Sequence, residues 1–106
     1  MSAIAISEQL LAAAKNYLDI TWDDADTDAK LDGELQHGIA YITAKTGVDP
    51  SAFAGDNVDL RAQELLFNYL LYDRAGSIDQ FKKAYRSDIV GLRMRWEVAN
   101  ATRTES

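Results

Sequence analysis

Three aspartates at alternating positions, Asp24, Asp26 and Asp28, are the strongest chemical signal in the sequence. Alternate oxygens of this kind form the first three ligand positions of an EF-hand calcium loop. The match stops there. Ala29 stands where such a loop needs glycine, and Leu35 stands where it needs a bidentate glutamate. Read together with Asp23, the run is expected to begin a helix, whose positive end favours carboxylates. The single histidine, His37, follows Leu35 by two residues and so lies about 200° around a helix from the apolar stripe. A lone histidine facing solvent is a poor general base. No glycine-rich phosphate loop, G-x-S-x-G elbow or H-E-x-x-H pair is present. The chain has no cysteine, which removes thiolate zinc sites, iron–sulfur clusters and Cys nucleophiles. The expectation is a protein that is not an enzyme and that uses no metal or cofactor.

The basic residues concentrate elsewhere. Lys82, Lys83, Arg86, Arg93 and Arg95 fall within fourteen positions, with Tyr85 and Trp96 close by. Basic residues mixed with aromatics suggest nucleic-acid binding. Against this, the net charge is −6, and a DNA-binding footprint normally dominates the charge of its domain. The sign is also uneven along the chain. Residues 1–60 hold three basic and eleven acidic residues, whereas residues 61–106 hold eight basic and six acidic. An acidic front and a mildly basic back suit a chain that meets a copy of itself, or another oriented partner, through opposite charges. The candidate contact residues are therefore Asp23, Asp24, Asp26 and Asp28 on one side and Lys82, Lys83, Arg86, Arg93 and Arg95 on the other. Reversing Arg93 and Arg95 together is expected to abolish assembly and leave the melting of the monomer unchanged.

The elements that must carry these residues read as helices. At 106 residues the chain fits a single domain (residues 1–106), with 1–6 and 98–106 expected to be flexible. Ala and Leu are abundant, there is one Pro, and Ile, Val and Thr together make up 17 residues, all of which favours helix over strand. The expected fold is an all-α bundle of four main helices, near 7–18, 27–46, 59–75 and 77–97, with a long C-terminal helix and a short tail. Ser7, Asp59 and Ser77 stand as N-caps, the last within a capping box closed by Gln80. Gly47 and Gly76 stand as C-terminal stops, and Pro50 prevents continuation beyond Gly47. Gly33 and Gly38 weaken the second helix by about 1 kcal/mol each, a cost that close packing would explain. Residues 47–58 read as a loop with one buried aromatic, Phe53. The run Leu65–Tyr72 is apolar almost all round, which places it at the centre of a bundle or in an oligomer that covers its second face. Ile78, Phe81, Tyr85, Ile89, Leu92 and Trp96 follow at spacings of 3, 4, 4, 3 and 4, a narrow seam along a helix that Gly91 could break. Leu35, Ile39, Ile42, Leu66, Leu70, Phe81, Tyr85 and Ile89 are the expected core. The longest apolar run, Leu10–Ala14, is too short to span a membrane, and Glu8 precedes the first basic residue, Lys15, unlike a secretory leader. A soluble chain made in the cytoplasm is expected.

The string Tyr72-Asp73-Arg74-Ala75-Gly76-Ser77-Ile78-Asp79-Gln80-Phe81, followed by Tyr85-Arg86-Ser87-Asp88-Ile89 and Leu92-Arg93, resembles the head–tail connector (adaptor) family of tailed bacteriophages. The front half is similar in order: a short helix, an Asp-rich turn at 23–28, a helix closing on Thr46-Gly47, then a loop. The resemblance runs over residues 7–97 in element order and spacing. It implies a small helical bundle that assembles as a ring below the portal, extends the DNA channel, and offers a platform to a downstream stopper or tail-completion protein. It also implies a virion location at the head–tail junction, passage of DNA without sequence-specific binding, no catalysis and no membrane. The alternative from the residues themselves is a small DNA-binding or DNA-packaging accessory protein that uses the basic face of the last helix.

Overall fold

Three of the helices start where a short oxygen-bearing side chain reaches amides that have no partner in the preceding turn. The computed structural model of the chain describes residues 7–53 and 58–105 and contains five α-helices and one 3-10 turn, with no strand among the described residues. Helix α1 spans Glu8–Tyr17, and the Ser7 hydroxyl accepts from the Leu10 amide. Helix α2 spans Ala25–Thr46 and begins at Asp24, whose carboxylate accepts from both the amide and the hydroxyl of Thr27. The 3-10 turn spans Pro50–Phe53. Helix α3 spans Leu60–Arg74 and is capped by Asp59. Helices α4 and α5 span Ile78–Ala84 and Arg86–Glu105.

The helix ends are set by chain conformation. Gly47 at φ 77° closes α2, and Gly76 at φ 71° follows α3, both in the left-handed region that a side chain resists. After α3 the amides of Gly76 and Ser77 turn back to the carbonyls of Asp73 and Tyr72. The same paired bonds end α1, where the Asp19 and Ile20 amides reach Asn16 and Lys15. There the left-handed position is held by Asp19, at φ 59°, rather than by glycine. Ile20 is then delivered to the core at 7% exposure.

Three expectations change. The expected fourth helix is two helices, and the break falls at Tyr85 rather than Gly91. Tyr85 leaves helical geometry (φ −109°, ψ 16°) while its ring stacks on Phe81 at 5.0 Å and meets Tyr72 edge-on at 5.9 Å. Gly91 lies inside α5 with nothing within 4 Å of the Cβ it lacks, so neither packing nor strain acts on the backbone there. The capping box at Ser77 does not form: the side chain makes no bond to the helix amides, and its hydroxyl donates instead to the Ala75 carbonyl at 3.5 Å. Within the 47–58 loop, Pro50 opens the 3-10 turn, which seats Ala52 and Phe53 in the core; residues 54–57, like 1–6, lie outside the described residues. Helix α5 also runs to Glu105, beyond the expected end near 97.

The core is where the apolar periodicity placed it. Leu35, Ile39, Ile42, Leu66, Leu70 and Phe81 are almost fully buried, while Tyr85 and Ile89 are half-buried against them. Helices α2 and α3 pack antiparallel, with Glu34 near one end of the pair bonded to Arg74 at 2.9 Å. Gly38 makes this contact possible, because a Cβ there would stand 2.6 Å from Leu66 Cδ1 and 3.1 Å from the Tyr69 ring. Gly33 has nothing nearby and serves no such purpose. The apolar run on α3 is largely covered within the chain: Leu65, Leu66, Phe67 and Leu70 are buried, and Leu71 is 40% exposed. It therefore does not require an oligomer. Phe81 is ringed by Tyr41, Tyr69, Tyr72 and Tyr85, joining α2, α3, α4 and the bend. Phe81→Ala is expected to lower unfolding free energy by about 3–5 kcal/mol in urea titration, since four rings cannot all collapse into the space left. Asp19→Gly is expected to raise it by about 0.5–1 kcal/mol by relieving the left-handed backbone.

Candidate functional site

Most of the acidic run serves the fold. Asp24 is the α2 cap, and the Thr27 hydroxyl and amide that donate to it hold its carboxyl below the usual range. Asp23 and Asp28 flank the Lys15 ammonium at 2.9 and 3.0 Å, pinning α1 to the start of α2. The bond from Asp23, then that from Asp28, raises the Lys15 pKa. Asp26 is left exposed on the first turn. No group of three metal-ligating side chains is brought together among the described residues. His37 is exposed on α2.

The basic residues divide in the same way. Arg95 donates to Asp59 Oδ2 at 2.6 Å, and the Trp96 indole donates to the same oxygen at 2.8 Å. Asp59 Oδ1 meanwhile accepts from the amides of Arg61 and Ala62. One carboxylate thus fixes the start of α3 to the middle of α5. Desolvation pushes the Asp59 carboxyl up, but the Trp96 indole, the Ala62 amide and the Arg95 guanidinium outweigh it and hold it below its ordinary value. Lys82 lies 5.9 Å from the Tyr41 ring centre, and Arg93 is 3.8 Å from Glu97 on the same helix face. Lys83 and Arg86 are exposed at the bend between α4 and α5, with no ion pair to another described residue. The nine candidate contact residues therefore divide three ways. Asp23, Asp24, Asp28 and Arg95 are bonded inside the subunit, Lys82 and Arg93 lie against neighbouring side chains at the surface, and Asp26, Lys83 and Arg86 face outward.

A groove of about 640 Å³ runs between α3 and α5, lined by Arg61, Glu64, Tyr85, Asp88, Gly91 and Arg95. Two guanidinium groups face two carboxylates there, so the lining has no net charge. Burial, and next the nearby Tyr72, pushes the Tyr85 hydroxyl above the usual phenol range. The lining holds no histidine, and its polar members suit a polar or zwitterionic surface met by hydrogen bonding.

Two features were missed from sequence. The bond from Asp59 to Arg95 and Trp96 joins residues 36 and 37 positions apart, and no local spacing announces it. The second is an apolar line on α5. Val90, Met94 and Val98, at 39%, 61% and 68% exposure, repeat every four residues. Met94 is two positions from both Leu92 and Trp96, about 200° around the helix from the core seam. The signal was present as an i, i+4, i+8 repeat, but the stronger seam on the opposite face hid it.

The described residues form an all-α bundle with charged and apolar surface patches. No protein-family model matches the chain, and no curated protein or solved structure is measurably similar to it.

Two predictions follow from the Asp59 bonds. Asp59→Asn keeps a capping side chain but loses the charge, and it is expected to cost about 1–2 kcal/mol at neutral pH. A lowered folded-state pKa stabilises the fold above the ordinary carboxyl value of 3.8, and that stabilisation is lost as pH falls through the folded value. The difference between wild type and Asp59→Asn should therefore shrink toward zero on acidification, as followed by thermal melts between neutral pH and about pH 2. Arg95→Glu places a carboxylate against Asp59 and should lower the melting temperature, whereas Asp26→Asn and His37→Ala should leave it unchanged. The expectation that reversing Arg93 and Arg95 spares the monomer is thus withdrawn for Arg95.

Proposed function

We propose that this protein is a structural head–tail connector (adaptor) of a tailed bacteriophage. In this role it forms a ring below the portal, extends the DNA channel and receives a stopper or tail-completion protein. The observation that carries the reading is the string from Tyr72 to Arg93 that resembles the connector family, together with how it is used in the fold. Its aromatic members, Tyr72, Phe81 and Tyr85, form one cluster at the α3–α4–α5 corner. Its charged members Asp79 and Arg86 stay on the surface of the same corner. An all-α subunit of five helices is in keeping with the reading, and no helix among the described residues is long and apolar enough to cross a membrane. The protein acts in this role by contact alone: it binds itself and the portal, without cofactor or metal, within the virion.

The deciding experiment mixes the purified chain with the portal protein of the same phage and images the particles by electron microscopy. Rings seated on the portal are expected. Lack of any association with the portal, across concentration and salt, would overturn the reading. Lys83→Glu with Arg86→Glu is the charge probe of choice, because neither residue holds the bundle together. The double variant should melt like wild type within about 0.5 kcal/mol, as surface changes usually do, and lose affinity for its assembly partner. The same variant decides the alternative. If the basic bend binds nucleic acid, wild type will hold duplex DNA at low salt, release it steeply as salt rises, and lose it in the variant. The connector reading expects no such binding.

A further inference from the structure

The outer face of α5 is an apolar line bordered by positive charge. Val90, Met94 and Val98 rise along it, with Arg86 and Arg93 on one side and Glu97, 3.8 Å from Arg93, next to them. At another corner of the same subunit, the connection from α1 to α2 has the opposite character. Trp22 is 54% exposed there, and the segment from Asp19 to Asp28 holds five acidic residues and no basic one. A tryptophan so exposed beside carboxylates is a large apolar anchor with a negative rim, and the α5 face is an apolar strip with a positive rim. Apolar area supplies affinity and opposite rims supply orientation.

We infer that the occupant of the α5 outer face is a second copy of this chain, which seats its Trp22 corner over Val90 and Met94 with Asp23 and Asp26 directed at Arg86 and Arg93. The contact joins two different patches, so each subunit offers one donor corner and one acceptor face, and successive copies continue the series. This rests on the connector reading for its purpose but not for its geometry. Asp23 is fully exposed while bonded to Lys15, and the bond leaves its second oxygen open to a neighbour. Gly91, beside the line, has nothing within 4 Å of its missing Cβ, so a flat ring can approach the helix backbone there.

Two variants test the inference by complementation. Met94→Asp disables the acceptor face and keeps the corner; Trp22→Ser disables the corner and keeps the face. Both side chains are exposed, and circular dichroism checks that each variant keeps wild-type helicity. If either fails to fold, Val90→Asp replaces the first and Asp23→Lys with Asp26→Lys replaces the second. By sedimentation equilibrium up to about 1 mM, wild type should form species larger than a dimer, and each variant alone should associate at least about tenfold more weakly. Mixed in equal amounts, the two variants share one intact contact and should form a species of twice the 11.8 kDa chain mass that grows no further. A monomeric wild type at the highest concentration overturns the inference. So does a two-fold pairing of α5 with α5, in which the Trp22→Ser variant dimerises alone and mixing adds nothing. Binding to the portal is scored separately. Complementation without portal binding leaves this contact standing and removes the connector reading; portal binding by a chain that never self-associates does the reverse.

Discussion

Asp59 has four donors converging on its two oxygens, and they come from different parts of the chain. The Arg61 and Ala62 amides are the free start of α3, and Arg95 and Trp96 belong to α5. Its own amide donates to the Ala52 carbonyl, which ties the 3-10 turn to the same point. A carboxylate that is only 13% exposed at the side chain must keep these partners or become a buried charge without compensation. The orientation of α5 against the bundle depends on this point and on Trp96, whose ring packs on the core while its N–H reaches the carboxylate. Asn100 adds a third tie further along, donating to the Gly47 carbonyl at the end of α2.

At the opposite corner the constraint is aromatic. Phe81 is fully buried among four tyrosine rings, and the helix bends at Tyr85, whose ring lies between Phe81 and Tyr72. Burial, then the neighbouring Asp73, raises the Tyr69 hydroxyl pKa. One end of α5 is thus positioned by stacked rings and its middle by a charged hydrogen-bond cluster. Between them the outer side of the helix is free to carry Val90, Met94 and Val98 without cost to the subunit core.

The charge pattern acquires a different meaning once the fold is known. Four acidic residues near the start of α2 look alike in sequence, yet Asp24 caps, Asp23 and Asp28 neutralise Lys15, and Asp26 alone is left without a structural task on the first turn. Arg95 and Arg93 are two positions apart, yet one closes a partly buried carboxylate site and the other makes a long, exposed pair with Glu97. Exposed pairs of the second kind contribute about 0–1 kcal/mol and are better suited to orienting a neighbour than to holding a fold.

The sequence by itself determined the helical class, the starts of α1, α2 and α3 at Ser7, the Asp-rich run and Asp59, the stops at Gly47 and Gly76, and the buried faces of α2 and α3. These are local matters: a cap needs an oxygen within three residues, a left-handed stop favours glycine, and a buried face repeats with the helical period. Only the tertiary structure decided that the last helix breaks at Tyr85, that the Ser77 hydroxyl turns away from its helix, and that Gly38 rather than Gly33 is the close contact between α2 and α3. It also decided which charges are already taken. The Gly38 contact and the charge pairings turn on groups tens of residues apart, as Asp59 and Arg95 are, and a local pattern carries no record of which distant partner will arrive.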